Sequence, residues 1–272
     1  MKKLTVCGKG GSGKSTIVAL LAQVISRRGY RVLVVDSDES NSGLHRLLGF
    51  DSGPRPLMDL VGGKRGVKQK MGPKLSDGES TPETRLLAQD EIRVTDIPSE
   101  YMLSRGGVGL VSIGKILQSL EGCACPMGVL SREFLKKLHL KDNEVTVVDM
   151  EAGVEHFGRG VETSTDSVLI VVEPCFESLE LAEKMNNFAT GVGIDNTWAI
   201  LNKITSEDLA SRLEAQLSKR NVRVLGAIHY DPDVFDACLE GYPVPAGKAV
   251  EDMEELVGNL LTGKAFQKQK GN

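Results

Sequence analysis

The chain has 272 residues, long enough to bury a large α/β core. Hydrophobic residues make up 40% and charged residues 26%, a globular balance that excludes wholesale disorder. Lysine plus arginine number 33 against 37 aspartates plus glutamates, a formal net charge of −4, which argues against a general nucleic-acid binder.

Leu4 to Cys7 is a short apolar run that reads as a strand, and Ser15 to Arg28 carries helical apolar spacing. Glycines and Lys9 interrupt the first run after four residues. A secretory signal needs about 7 to 15 apolar residues, so a cytoplasmic protein is expected. Arg31 to Val35 is a β-branched run entering Asp36. Val145 to Val148 enters Asp149, and Val168 to Val172 enters Glu173-Pro174. Trp198 to Leu201 enters Asn202, and Val222 to Ile228 enters His229. Helical patterns at Leu179 to Phe188 and Leu209 to Leu217 separate the later runs. Apolar strands alternating with helices predict an α/β fold, a mostly parallel sheet with helices on both faces. Ligands of such sheets bind at the carboxyl ends of the strands, where these polar residues fall.

One P-loop domain over residues 1–272 is expected, with an irregular insertion near 52–98. That stretch is rich in Gly, Pro and charge, with Lys64, Arg65, Lys68, Lys70 and Lys74 close together, and reads as a mobile surface insertion. Residues 105–126 read as a second irregular, glycine-rich piece. No apolar run approaches the ~18 to 20 residues that span a bilayer. Val250 to Leu261 is amphipathic but acidic, unlike a membrane-surface helix. Neither a membrane nor a nucleic acid is expected as a partner.

The strongest signal is Gly8-Lys9-Gly10-Gly11-Ser12-Gly13-Lys14-Ser15-Thr16, which satisfies G-x-x-x-x-G-K-[ST] between a strand and a helix. Glycines let backbone N–H groups close around phosphate oxygens, and the helix N-terminus adds positive potential. In this motif Lys14 reaches the β and γ phosphates and the Ser15 hydroxyl ligates Mg²⁺. Asn202-Lys203 follows a strand, as in sites that hold a base edge. Guanine recognition of the N-K-x-D kind needs a carboxylate at position 205. Thr205 stands there, which favours adenine and hence ATP, with Asn202 on the base.

With its second lysine, the loop resembles that of the deviant Walker-A ATPases, the nitrogenase iron protein, MinD and ParA group. The resemblance implies that Lys9 is the signature lysine, crossing a homodimer interface to the partner's ATP. It places Asp36-Ser37-Asp38 at switch I, with Asp38 on the attacking water and Asp36 supporting the Mg²⁺ shell. It makes Asp149 the Walker B carboxylate and Gly153 a switch II backbone sensor of the γ-phosphate. That family often has a proline where this chain has His229.

Five cysteines are present, and Cys7, Cys175 and Cys238 are isolated, unlike a secreted disulfide framework. They read as small core or surface residues. Cys123-Ala124-Cys125 is a C-x-C pair. Two thiolates can grip a soft ion, and two chains on a two-fold axis would supply the four ligands of a closed site. Buried or incidental cysteines are the other reading. C-x-C before Arg132-Glu133-Phe134-Leu135, then Asp149 to Gly153 with Glu155-His156, resembles the CO dehydrogenase nickel-insertion accessory proteins (CooC type). That resemblance implies an ATP-dependent metallochaperone. Cys123 and Cys125 of both chains would hold Ni²⁺ or Zn²⁺, and the client would be a CO dehydrogenase-type nickel-iron-sulfur enzyme. A nitrogenase iron protein-like cluster carrier for electron transfer, or a ParA/MinD-like positioning ATPase, are the alternatives.

Overall fold

The computed structural model describes residues 2–40, 43–71, 86–115, 125–153 and 164–261. The chain opens with β1 (Lys3–Gly8), α1 (Lys14–Arg27), β2 (Arg31–Ser37) and α2 (Leu44–Leu47). α3 (Gly63–Met71), β3 (Ile92–Arg93), β4 (Leu103–Arg105) and β5 (Val108–Ser112) follow. Next come α4 (Cys125–Lys137), β6 (Leu138–His139), β7 (Glu144–Met150) and β8 (Ser167–Val172). The remainder is α5 (Phe176–Gly191), β9 (Thr197–Ile204), α6 (Glu207–Ser218), β10 (Val224–His229), α7 (Pro232–Glu240) and α8 (Lys248–Leu261).

Eight of these strands form one sheet in the order β10-β9-β8-β1-β7-β2-β5-β4. β1 pairs in parallel with β7 on one side and β8 on the other. β2 runs parallel to both β7 and β5, while β4 closes the edge antiparallel to β5. The apolar runs of β1, β2, β7 and β8 are continuous because both faces of the sheet are covered. Successive residues alternate between the two covers, as the two-residue period of a strand requires. Val32 and Val34 of β2 pack under α1, on the face whose cover α8 continues over β10. Leu33 and Val35 point to the other face, toward α4, and belong to the cluster that α5 and α6 complete farther along the sheet.

α1 turns Ile17, Leu20, Leu21 and Ile25 onto the sheet, and all four are fully buried. Truncating one such leucine to alanine costs about 2 to 5 kcal/mol.

The stretch read as a surface insertion is partly core. Leu57, Met58 and Val61 on a 3-10 turn, with Val67 of α3, are buried in the same cluster as β2 and α4. Leu86, Ile92, Val94 and Ile97 join them. The apolar residues are too widely spaced among glycine and charge to show a period, yet each finds the sheet. Arg65 and Lys68 do face solvent, and Lys74 lies outside the described residues. The second irregular piece holds β5, an inner strand hydrogen-bonded to β2. Gly106, Gly107 and Gly109 dilute its apolar pattern.

Candidate active site

The loop between β1 and α1 lies where the chain leaves β1 for β2 on one side and later returns to β8 on the other. That is the topological switch point of an open parallel sheet. Gly8 has φ 150°, and a Cβ there would come within 2.6 Å of Val171 O. Gly13, at φ 93°, caps α1 in the left-handed region, and a Cβ on it would collide with the Asn202 amide. Only glycine meets both demands. Ser12 N–H donates to Lys9 O at 3.2 Å, and the Lys14 ammonium reaches back over the loop to the same oxygen at 3.3 Å.

Two side chains from the end of β9 hold the loop from outside. Asn202 Nδ2 donates to Ser12 O at 2.8 Å, and Lys203 Nζ to Gly11 O at 2.7 Å. Asn202 was expected on a base edge; here one amide proton is spent on the loop, so it positions the loop's backbone. Lys203 adopts φ 62°, a strained conformation for a side chain of this size.

Below the loop, Ser15 Oγ donates to Asp149 Oδ2 at 2.6 Å. Asp149 is fully buried, and its other oxygen, Oδ1, has no hydrogen-bond partner. Burial, reinforced by the charge of Asp36, pushes the Asp149 carboxyl up to about 7. Asp36 stands opposite Asp149 in the β2/β7 register. Burial raises it to about 6, against the pull of the Lys115 ammonium 2.7 Å away. Lys115 also donates to Asp38 O, so it ties the segment after β5 to the segment after β2. Asp38 is buried, and its Oδ1 accepts from Ser40 N at 2.9 Å and Ser40 Oγ at 2.6 Å. Across the loop, Gly153 N–H donates to Gly8 O at 3.4 Å, and Ala152 Cβ lies 3.7 Å from where a Cβ on Gly10 would be. The structure thus joins Lys14, Ser15, Asp36, Asp149 and Gly153 around one point.

Oxygen donors suit a hard cation such as Mg²⁺, and the orphaned Asp149 Oδ1 is an atom that the ion or its water would satisfy. Among the described residues no group of three or more His, Cys, Asp and Glu is arranged to hold a metal ion. Mg²⁺ bound to a nucleotide takes much of its shell from phosphates and water, so a sparse protein set fits it.

Lys9 turns away from this point. Its Nζ lies 3.4 Å from Glu173 Oε1 and from Cys175 Sγ, and 4.0 Å from Glu177 Oε2. Cys175, read as a small core or surface residue, is therefore a neighbour of the loop. Thr16 Oγ1 meets Cys238 Sγ of α7 at 3.4 Å. Cys123 and the side chain of Cys125 lie outside the described residues, as do Glu155 and His156. Lys115 escaped the sequence reading altogether, because it lies in the glycine-rich piece beside no recognisable motif.

Among the described residues no helix is long and apolar enough to cross a membrane. The CobQ/CobB/MinD/ParA nucleotide binding domain family matches residues 4–244. An uncharacterized ATP-binding protein of Methanocaldococcus jannaschii is 44% identical over 94% of this chain and 99% of its own length. The carbon monoxide dehydrogenase accessory protein CooC of Rhodospirillum rubrum is 33% identical over 75% of each chain. The septum site-determining protein MinD of Pyrococcus horikoshii, solved with Mg-ADP, superposes with a TM-score of 0.67 at 17% identity, over 97% of this chain and 98% of that one. The phosphate loop at the switch point, the carboxylates beneath it and the family match together place the chain among the P-loop ATPases of the CobQ/CobB/MinD/ParA nucleotide-binding family.

Proposed function

We propose that this protein is an ATP-driven maturation factor, hydrolysing ATP as a homodimer to support metal delivery to a nickel-iron-sulfur enzyme of the CO dehydrogenase type. The observation that carries the ATPase half is the contact of Ser15 Oγ with Asp149 Oδ2 beneath the loop, beside an oxygen with no partner. The loop backbone from Gly8 to Thr16 cradles the phosphates, and Lys14 swings from Lys9 O to the β and γ oxygens. Ser15 and Asp149, with Asp36 beside them, would hold Mg²⁺, which would supply positive charge to offset that of the phosphates. Asp38 accepts the proton of the attacking water as the bond between the γ-phosphorus and the ADP oxygen breaks. Gly153 N–H exchanges Gly8 O for the γ-phosphate, and Lys9 meets the partner's phosphates. Asn202 and Lys203 hold the loop and border the base.

The delivery half is supported by the likeness to the carbon monoxide dehydrogenase accessory protein and by the Cys123-Ala124-Cys125 pair. Nickel is cargo in this reading. Two pairs of thiolates meeting across the dimer make a four-sulfur site for Ni²⁺ or Zn²⁺. Equilibrium dialysis against Ni²⁺ and Zn²⁺ tests it. Wild type should take one ion per dimer, and the Cys123→Ala, Cys125→Ala variant none, with nucleotide affinity unchanged. Equal metal content in that variant would leave a MinD/ParA-like ATPase without this cargo.

A further inference from the structure

Glu173 follows β8 directly, and its backbone is fixed on both sides. Glu173 N–H donates to Ser178 Oγ at 3.1 Å, and Pro174 restricts the backbone of Glu173, the residue before it. Its carboxylate serves two lysines, one per oxygen. Oε2 accepts from Lys203 at 2.8 Å, while Oε1 is 3.4 Å from Lys9. Lys203 is tight, since it also donates to Gly11 O at 2.7 Å. Lys9 is loose: among the described residues, Glu173, Cys175 and Glu177 stand 3.4 Å or more from its Nζ. The Lys203 and Lys9 ammonium groups hold the Glu173 carboxyl below the usual range, so it keeps its charge at neutral pH.

We propose that Glu173 is a positioning residue that holds Lys9 within its own protomer, and so sets the protein concentration at which nucleotide-loaded chains pair. The inference rests on the reading in which Lys9 acts on a partner's phosphates. Reaching a partner's phosphates takes Lys9 off Glu173 of its own protomer, so the two contacts compete. Its contact with Glu173 is long and partly exposed, so it is weak enough to yield to a triphosphate and strong enough to bias the unloaded chain. Cys175 Sγ, also 3.4 Å from Lys9 Nζ, is a second acceptor that keeps the ammonium near the loop. Lys203, bound to the other oxygen, keeps the carboxylate in place while Lys9 leaves. The same carboxylate therefore anchors one lysine and lends the other.

The test is the turnover of Mg-ATP as a function of protein concentration. Wild type, Glu173→Gln, Glu173→Ala and Lys9→Ala are compared, together with Glu173→Gln in the Lys9→Ala background. Glu173→Gln and Glu173→Ala should lower the half-maximal protein concentration by about 1.5- to 5-fold, the scale of one weak ion pair. The Lys9→Ala background should erase that shift. ADP affinity at low protein concentration separates this effect from damage to the loop through Lys203, and should change less than the midpoint does. Slow turnover in Lys9→Ala with an unshifted midpoint in both Glu173 variants overturns the inference alone. Normal turnover in Lys9→Ala overturns the reading beneath it, and the inference with it.

Discussion

Two clusters of charge sit at the carboxyl edge of the same sheet and are built in opposite ways. Under the phosphate loop, Asp149 and Asp36 face each other across β7 and β2, both carboxyls are pushed up, and Asp149 Oδ1 has no partner. At the end of β10, Asp252 of α8 accepts from His229 N–H, from His229 Nδ1 and from Lys248, each at 2.8 Å. His229 Nε2 adds Glu207 at 3.1 Å. Burial would raise Asp252, but the His229 N–H and the Lys248 ammonium outweigh it and hold the carboxyl low. A buried polar group left unmet is a place for something to bind, whereas one fully met is a joint of the fold. His229 belongs to the second kind.

The sharpest way to break this contrast is Lys14→Ala. Lys14 is buried over the loop, where its ammonium donates to Lys9 O, and in the proposed cycle that charge moves to the phosphates. Mg-ADP affinity by calorimetry should fall about 100-fold or more, while the melting temperature moves little. A large loss of stability with affinity retained would make Lys14 a joint of the fold instead.

Asp149→Asn should separate function from stability. The native carboxyl keeps its proton to about 7, whereas the unfolded one releases it near 3.8. Between those values the native state binds more protons, so the stability of the nucleotide-free protein falls as pH rises from about 4 to 7. Asp36, raised to about 6, adds to the same slope. The amide removes the Asp149 share, and urea titrations at pH 8 should show a gain of a few kcal/mol. Mg-dependent turnover should be lost. An unchanged slope from pH 5 to 8 would show that Asp149 is not the strained group.

At the paired cluster the signs reverse. Asp252→Ala strips His229 N–H of its acceptor and should cost about 1 to 3 kcal/mol, read by thermal melting. Mg-ADP affinity should hold within about two-fold, because that side chain meets no loop atom. The smallest change should come from Lys248→Ala. Its side chain is 56% exposed. Surface ion pairs contribute little, so its melting curve should overlay the wild type. A shift as large as that of Asp252→Ala would move the weight of the joint onto the lysine.

Much of the site was legible because its signals are local. Gly8 to Thr16 encodes a strand-loop-helix turn in consecutive residues, and Asp36, Asp149 and Asn202 follow apolar runs that mark strand ends. The alternation of runs gave the parallel sheet for the same reason: side-chain period is a property of neighbours along the chain. β5 was hidden because glycines thin its pattern, and residues 57–97 because their apolar positions are scattered.

Residue types and spacing therefore established the phosphate loop and the parallel α/β sheet, since both follow from near-neighbour sterics and periodicity. Strand order established the rest. It set Lys115 on Asp36 across 79 residues and Lys9 on Glu173 across 164. It also gave Asp149 its raised carboxyl, through a neighbour on β2 and complete burial. Charge coupling and desolvation depend on distance in space, and only the order β8-β1-β7-β2-β5 brings those groups to one edge.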